Sequence, residues 1–330
     1  MNGGQRMKDT DYAFAVARIR ANETKLLVSA DVERLISASS FKECTEILKS
    51  KGYSFENENG EDFSLAIEKQ QKALWTLLNE AAPNREQLKV FCVQNDYYNL
   101  KAALKAMIAK KNAKGLFVYP TSLDLDALQK AVESHEFSLL PGEMGVCARE
   151  AYEAAWRTEN GQSADVIIDK AALSAILAEA KKSGCKMLTE IAVYLCACAD
   201  IKIAYRSAKA QKSLDFIESA LAEVDGIDKK EFAAAAAKGT DTVLSYLKKT
   251  PFSKEGEILS KSFTAFEKEC DDRIIELAGK AKYVFFGFEP IAAFYFAKTA
   301  ELKTVRLILC SKKAKADEET IRERVRALYV

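Results

Sequence analysis

Few residues in this chain have the types and spacing that chemistry needs. Asp271 and Asp272, followed by Glu276, lie on an apolar-striped helical segment. Paired acids of this kind can hold Mg²⁺ and, through it, a substrate diphosphate. That chemistry requires a second acidic cluster facing the first. The best candidate is Asn95-Asp96-Tyr97-Tyr98-Asn99, and it is followed by Leu100, Lys101 and Ala103 where an acid would be needed. An all-α Mg-dependent enzyme using Asp271, Asp272 and Glu276 is thus the enzymatic alternative; a solvated helix face is the simpler reading. The single histidine, His135, sits among Glu133, Ser134 and Glu136 and reads as a solvent-facing helix residue. One histidine leaves Ser–His and Cys–His pairs few routes. Neither G-x-x-x-x-G-K-[ST] nor G-x-G-x-x-G is present, and Ser183-Gly184-Cys185-Lys186 lacks the first glycine of a phosphate loop. Cys196 and Cys198 are two apart in an apolar helical run, so about 200° separates their sulfurs. They read as core, and all eight cysteines as reduced, buried thiols. No catalytic residue, cofactor or metal site is expected.

The elements that position these residues follow from composition. The 330 residues include only 5 Pro and 14 Gly, below the usual shares of roughly 5% and 7%. Few turns mean long elements, which excludes an all-β sandwich with a turn every ten residues or so. With 48% hydrophobic and 29% charged residues the chain is neither disordered nor a membrane span. The 49 Lys+Arg against 48 Asp+Glu give a net charge of +1, which argues against nucleic acid as a partner. Its start, polar through Asp9 and Asp11, predicts no signal peptide. The longest uncharged internal stretches, such as Ile191–Ala199, are far short of the roughly 20 apolar residues that a spanning helix needs.

Apolar residues three and four apart predict helices in five windows. These are Phe63–Leu78, Leu173–Ala180, Leu259–Leu277, Ile291–Leu309 and Ile321–Leu328. Alternation of period two never persists, and Leu116–Tyr119 and Tyr283–Phe288 read as helix starts or loops. Helix stops are expected at Gly52, Asn57–Gly60, Pro83, Gly115–Pro120, Pro141–Gly142, Gly161, Gly226, Pro251 and Gly287–Pro290. No long Pro/Gly/Ser linker interrupts the chain, so a single all-α unit is predicted. Two basic stretches, Lys101 to Lys114 and Lys303 to Lys315, are either solvated faces or surfaces for anionic headgroups or an acidic partner.

An internal repeat of about one hundred residues organises the helices. Asp31, Asp124, Asp228 and Asp317 each precede an apolar residue by four, a pattern that predicts four aspartate N-caps. A second pattern lies upstream, in Asp96-Tyr-Tyr-Asn99-Leu-Lys101, Asp200-Ile-Lys-Ile203-Ala-Tyr-Arg206 and Glu301-Leu-Lys-Thr-Val-Arg306. Asp96 precedes Asp124 by 28 residues, Asp200 precedes Asp228 by 28, and Glu301 precedes Asp317 by 16. Ile203 departs from the pattern where Asn99 stands in the first copy. The predicted modules are about 58–142, 143–252 and 253–330, with 1–57 a half module packing on the rest. Three equivalent modules can close about a pseudo-threefold axis and leave a central opening; independent aspartate caps in an all-α protein are the alternative.

The run from Gly287-Phe-Glu289-Pro-Ile to Val305-Arg306-Leu-Ile-Leu309, and the closing Ile321–Val330, resemble one family. That family comprises the C subunits of the prokaryotic V-type and A-type ATPases (ATP synthases), the counterparts of the d subunits of eukaryotic V-ATPases. The opening Asp11-Tyr12-Ala-Phe-Ala-Val-Ala-Arg18-Ile-Arg20 is similar to the family's N-terminus, so the resemblance covers the whole chain. It implies an all-helical funnel of three modules around a central cavity. The implied role is a non-catalytic socket in the rotor, joining the central shaft subunits to the membrane proteolipid ring. On this resemblance the chain lies peripherally on the cytoplasmic side and meets the membrane only through the ring. Tyr12, Arg18, Arg20, Asp96, Asn99, Asp200, Arg206, Glu289, Glu301 and Arg306 are the family-motif residues, structural or at a partner interface. Arg18 and Arg20 read as internal ion-pair partners or as shaft contacts, and Glu289 as the cap of the helix that Pro290 begins. A soluble helical scaffold unconnected with membranes is the third reading.

Overall fold

Helix after helix follows from the apolar periodicity, and among the described residues no strand forms. The computed structural model describes residues 8–55, 63–158 and 161–330. The stop expected at Asn57–Gly60 lies outside them. In chain order the helices begin α1 (Ala13–Glu23), α2 (Ser29–Ser37), α3 (Phe41–Ser50) and α4 (Phe63–Ala81). Then come α5 (Val93–Ile108), α6 (Leu125–Glu133), α7 (Glu143–Thr158), α8 (Gly161–Lys182) and α9 (Lys186–Lys209). Four shorter helices follow: α10 (Leu214–Ala220), α11 (Lys229–Lys238), α12 (Thr240–Leu247) and α13 (Ser253–Lys261). The chain closes with α14 (Phe263–Gly279), α15 (Glu289–Lys313) and α16 (Glu318–Arg324). No helix is long and apolar enough to cross a membrane among the described residues.

Two compact units result. The first comprises Met1–Arg85, Cys185–Ile191 and Ile258–Val330. Its axis is α15, which packs against α1, α3, α4, α14 and α16. Leu302, Val305, Ile308 and Leu309 of α15 meet Leu35, Ile36, Leu48 and Ile67 in one buried cluster. The N- and C-terminal parts of the chain therefore share a core, which explains why apolar stripes at both ends run so regularly. The second unit comprises Glu86–Gly184 and Ala192–Glu257. Here α8 packs against α5, α7 and α10, and α11 packs against α10 and α12. Cys196 and Cys198 are buried thiols on α9, and the Cys196 thiol donates to the Leu173 carbonyl of α8 at 3.5 Å.

Side-chain oxygens cap the helices much as expected. Asp124, Asp228 and Asp317 are N-caps, each accepting from a backbone N–H two or three residues ahead. Asp31 is not. It sits three residues inside α2, accepts from the Val28 N–H and pairs with Lys51 at 2.6 Å, so it closes the first turn from within. Burial opposes its charge, but the Lys51 hydrogen bond prevails and holds its carboxyl below the usual range. Two windows are also shorter than predicted. Ser262 breaks Leu259–Leu277 by accepting from the Ala265 N–H as the cap of α14. The last helix stops at Arg324, and Val325 (φ −65°, ψ 136°) turns the final residues into an extended strap.

Candidate functional site

The three acids of the upstream pattern are all buried on long helices: Asp96 on α5, Asp200 on α9 and Glu301 on α15. Each acts as a clasp, gripping the backbone of a segment far away in the chain. Asp96 accepts from the Ser122 N–H at 2.9 Å, the Ser122 hydroxyl at 2.6 Å and the Thr121 hydroxyl, just ahead of the α6 cap Asp124. Asn99, one turn on, reinforces it: the amide donates to the Val118 carbonyl (3.0 Å) and accepts from the Val118 N–H (2.8 Å). Glu301 accepts from the Leu27 N–H at 2.7 Å, the Tyr53 hydroxyl at 2.7 Å and Lys298 at 2.6 Å. Its gripped segment thus lies four residues before Asp31, not before Asp317. Burial and the neighbouring carboxylate push the Tyr53 phenol up. Asp200 accepts from the Ala222 N–H alone, at 3.1 Å. Ile203, in place of an amide, can add nothing to that clasp.

The basic residues that follow these acids face outward. Lys101 pairs with Asp169 and is half-buried, whereas Arg206 and Arg306 are exposed. Lys105 and Lys114 pair with Asp165 (2.8 Å) and Asp126 (3.1 Å), so much of the first basic stretch is neutralised within its own unit. His135 is exposed but lies past the end of α6 at φ 57°, its ring 4.7 Å from that of Tyr152. The acids considered for Mg²⁺ are engaged by cations and backbone. Asp271 accepts from Lys303 (3.2 Å) and Arg326 (3.1 Å); Asp272 accepts from Lys268 (2.7 Å) and the Ala327 N–H (2.6 Å). Glu276 pairs with Arg273 at 2.6 Å. Rather than a solvated face, this pair of aspartates straps down the C-terminal segment, and no group of three His, Cys, Asp or Glu among the described residues is placed to hold a metal.

The paired arginines of α1 have separate jobs. Arg18 pairs with Glu80 of α4 at 2.5 Å. Arg20 holds both Glu23 oxygens at 2.8 Å and donates to the carbonyls of Ala281 (2.6 Å), Lys282 (3.2 Å) and Val284 (2.8 Å). Burial opposes its charge, yet the Glu23 hydrogen bond and field outweigh that and raise its pKa. A fork with five donors suits capture of several carbonyls at once. The segment so pinned carries Tyr283, Phe285 and Phe286, which are 83%, 71% and 51% exposed. Tyr12, just before α1, is buried. Glu289 is the first residue of α15 and Phe288 occupies the cap position, so the expected cap by Glu289 is not formed; the carboxylate lies beside the Cys185 thiol instead. Burial, with Glu289 adding to it, pushes that thiol up to about 12.

Beyond the residues singled out in the sequence, the second unit contains a groove of about 880 Å³. Val93, Tyr97, Met144 and Cys147 supply its apolar wall. Along α8 it is floored by Ala171, Ser174, Ala175 and Ala178, small side chains three and four apart that permit close approach of another helix. Lys89, Lys170 and Lys182 line it together with Asp96, Glu143, Glu150 and Glu179, so its wall carries charges of both signs with acids in slight excess. The small residues at helical spacing were the available signal for it.

Comparison with known proteins places these features in a family. Residues 15–324 match the ATP synthase (C/AC39) subunit family. The chain is 24% identical over 320 residues to the C subunit of the V-type sodium ATPase of Enterococcus hirae, covering 94% of this chain and 97% of that one. It is 25% identical over 341 residues to the C subunit of the A-type ATP synthase of Methanocaldococcus jannaschii, covering 94% and 85% respectively. With the match running from Ala15 to Arg324, the chain belongs to the ATP synthase (C/AC39) subunit family, the C subunits of V/A-type ATPases, and is a non-catalytic part of a larger assembly.

Proposed function

We propose that this protein is a socket in the central rotor, joining the shaft subunits to the membrane proteolipid ring and passing torque between them. It would sit peripherally, on the cytoplasmic side, and meet the membrane only through the ring. The observation that carries this reading is the groove: an apolar wall, a small-residue floor and charges of both signs suit the end of a shaft helix. The buried clasps support it, since a torque-bearing part needs its helices tied to distant segments. The hold of Glu301 on Leu27 favours a third module completed by the N-terminal residues, and three such modules about a pseudo-threefold axis would enclose a central cavity. Ala178 is exposed in the groove, so Ala178→Trp fills the seat without touching the core. Co-purification of the tagged variant with the ATPase should lose the shaft subunits while its melting temperature stays put. Full recovery of the shaft subunits would refute the seat.

A further inference from the structure

The three clasps are unequal, and the inequality is specific. Asp96 and Glu301 each accept from three donors. Asp200, 1% exposed, has one donor on Oδ1, and its buried Oδ2 has no hydrogen-bond partner. What it grips is the connection between α10 and α11, where Leu221, Ala222, Val224 and Ile227 are buried and Gly226 turns at φ 89° against Pro251 and Phe252. We propose that Asp200 is a proton-operated latch: protonated, it holds the Leu221–Asp228 connection against α9, and on ionising it lets that connection loosen.

The surroundings argue for this. Titratable groups face Asp200 from each neighbouring element: Lys170 on α8, Lys229 at the start of α11, Glu223 within the connection, and the Cys196 thiol on α9 itself. Lys229 is already 3.6 Å from Glu223, and burial, together with Lys229 set against it, pushes the Lys170 ammonium down. Neither lysine donates a hydrogen bond to the carboxylate. Burial therefore outweighs the Ala222 hydrogen bond and both lysines, and pushes Asp200 from its ordinary 3.8 up to about 7. An acid whose pKa is raised by folding stabilises the closed connection most below the ordinary value and loses that contribution as pH climbs toward the raised one. The window is thus pH 4 to 7, with a plateau above. Asp31, Glu43, Glu86 and Asp317 are held below their ordinary values by hydrogen bonds, the opposite direction to Asp200.

Hydrogen exchange at the Ala222 amide, corrected for intrinsic rate, tests the latch on the full chain. Protection should fall about fifty-fold between pH 5 and pH 7 and level off above, and Asp200→Asn, which is neutral at every pH, should show no such fall. Constant protection in the unsubstituted chain, or the same fall in the variant, overturns the proposal. The ¹³C-carboxyl resonance of Asp200 gives a reading that needs no substitution: a midpoint near 7 is expected, and one near 4 removes the latch.

Discussion

At the scale of single residues, what distinguishes this protein is the use of buried acids as tethers between distant parts of the chain. A buried carboxylate is costly unless its lone pairs are taken, and Glu301, 2% exposed, has them filled by a backbone N–H, a phenol and an ammonium. Removing it strands all three donors in the core of the first unit. Glu301→Ala should therefore cost about 3–5 kcal/mol, read as a lowered urea midpoint at unchanged slope. A loss below about 1 kcal/mol would mean that the tether is slack. Arg18 and Glu80, whose side chains are 34% and 52% exposed, form a pair of the opposite kind, screened by water and worth little by comparison. The strength of each contact follows from its burial rather than from its place in the motif.

At the scale of elements, close approach sets the limits. Gly145 on α7 lies under the Phe137–Leu139 turn, and a Cβ there would stand 2.4 Å from the Phe137 carbonyl oxygen. Backbone cannot give way as a flexible side chain can, so Gly145→Ala should push α7 off this turn and destabilise by about 1–3 kcal/mol; thermal melting of the variant checks it, and an unchanged midpoint would disprove the contact. Nothing in the sequence marked this glycine, because its constraint comes from a carbonyl eight residues away in the chain. The helices themselves were legible, since their stripes repeat over several turns, and so were the aspartate caps of α6, α11 and α16. Asp31 misled because a capping acid three residues inside a helix has the same spacing to the next apolar residue as one at its start. Val325 and Leu328 continue the helical stripe, but Asp271 and Asp272 bind Arg326 and the Ala327 N–H, and those tertiary bonds favour an extended strap. The upstream pattern drew attention to the clasp acids, while their grip on Leu27, Ser122 and Ala222 depends on chain reversal that no local pattern encodes.

At the scale of the whole molecule, the question is which exposed features belong to the fold and which to its assembly. Tyr283, Phe285 and Phe286 stand largely in water, yet Arg20 fixes the carbonyls on either side of Tyr283 and just before Phe285, so the rings are presented on a backbone held at its start. Fully buried aromatics cover about 150–250 Å² each. At these exposures the three rings offer roughly 400 Å², half of the roughly 800 Å² that each partner contributes to a standard interface. Ordering such a surface without covering it gains the isolated chain nothing. Replacing all three by serine should leave stability within about 0.5 kcal/mol, because none of the rings supplies core and the Arg20 contacts are to backbone. Recovery of the protein with purified ATPase should nonetheless drop at least tenfold. Equal recovery would show that these rings face solvent in the assembly as well, whereas lost stability would place them in the fold; only unchanged melting with lost recovery identifies a surface built for another subunit.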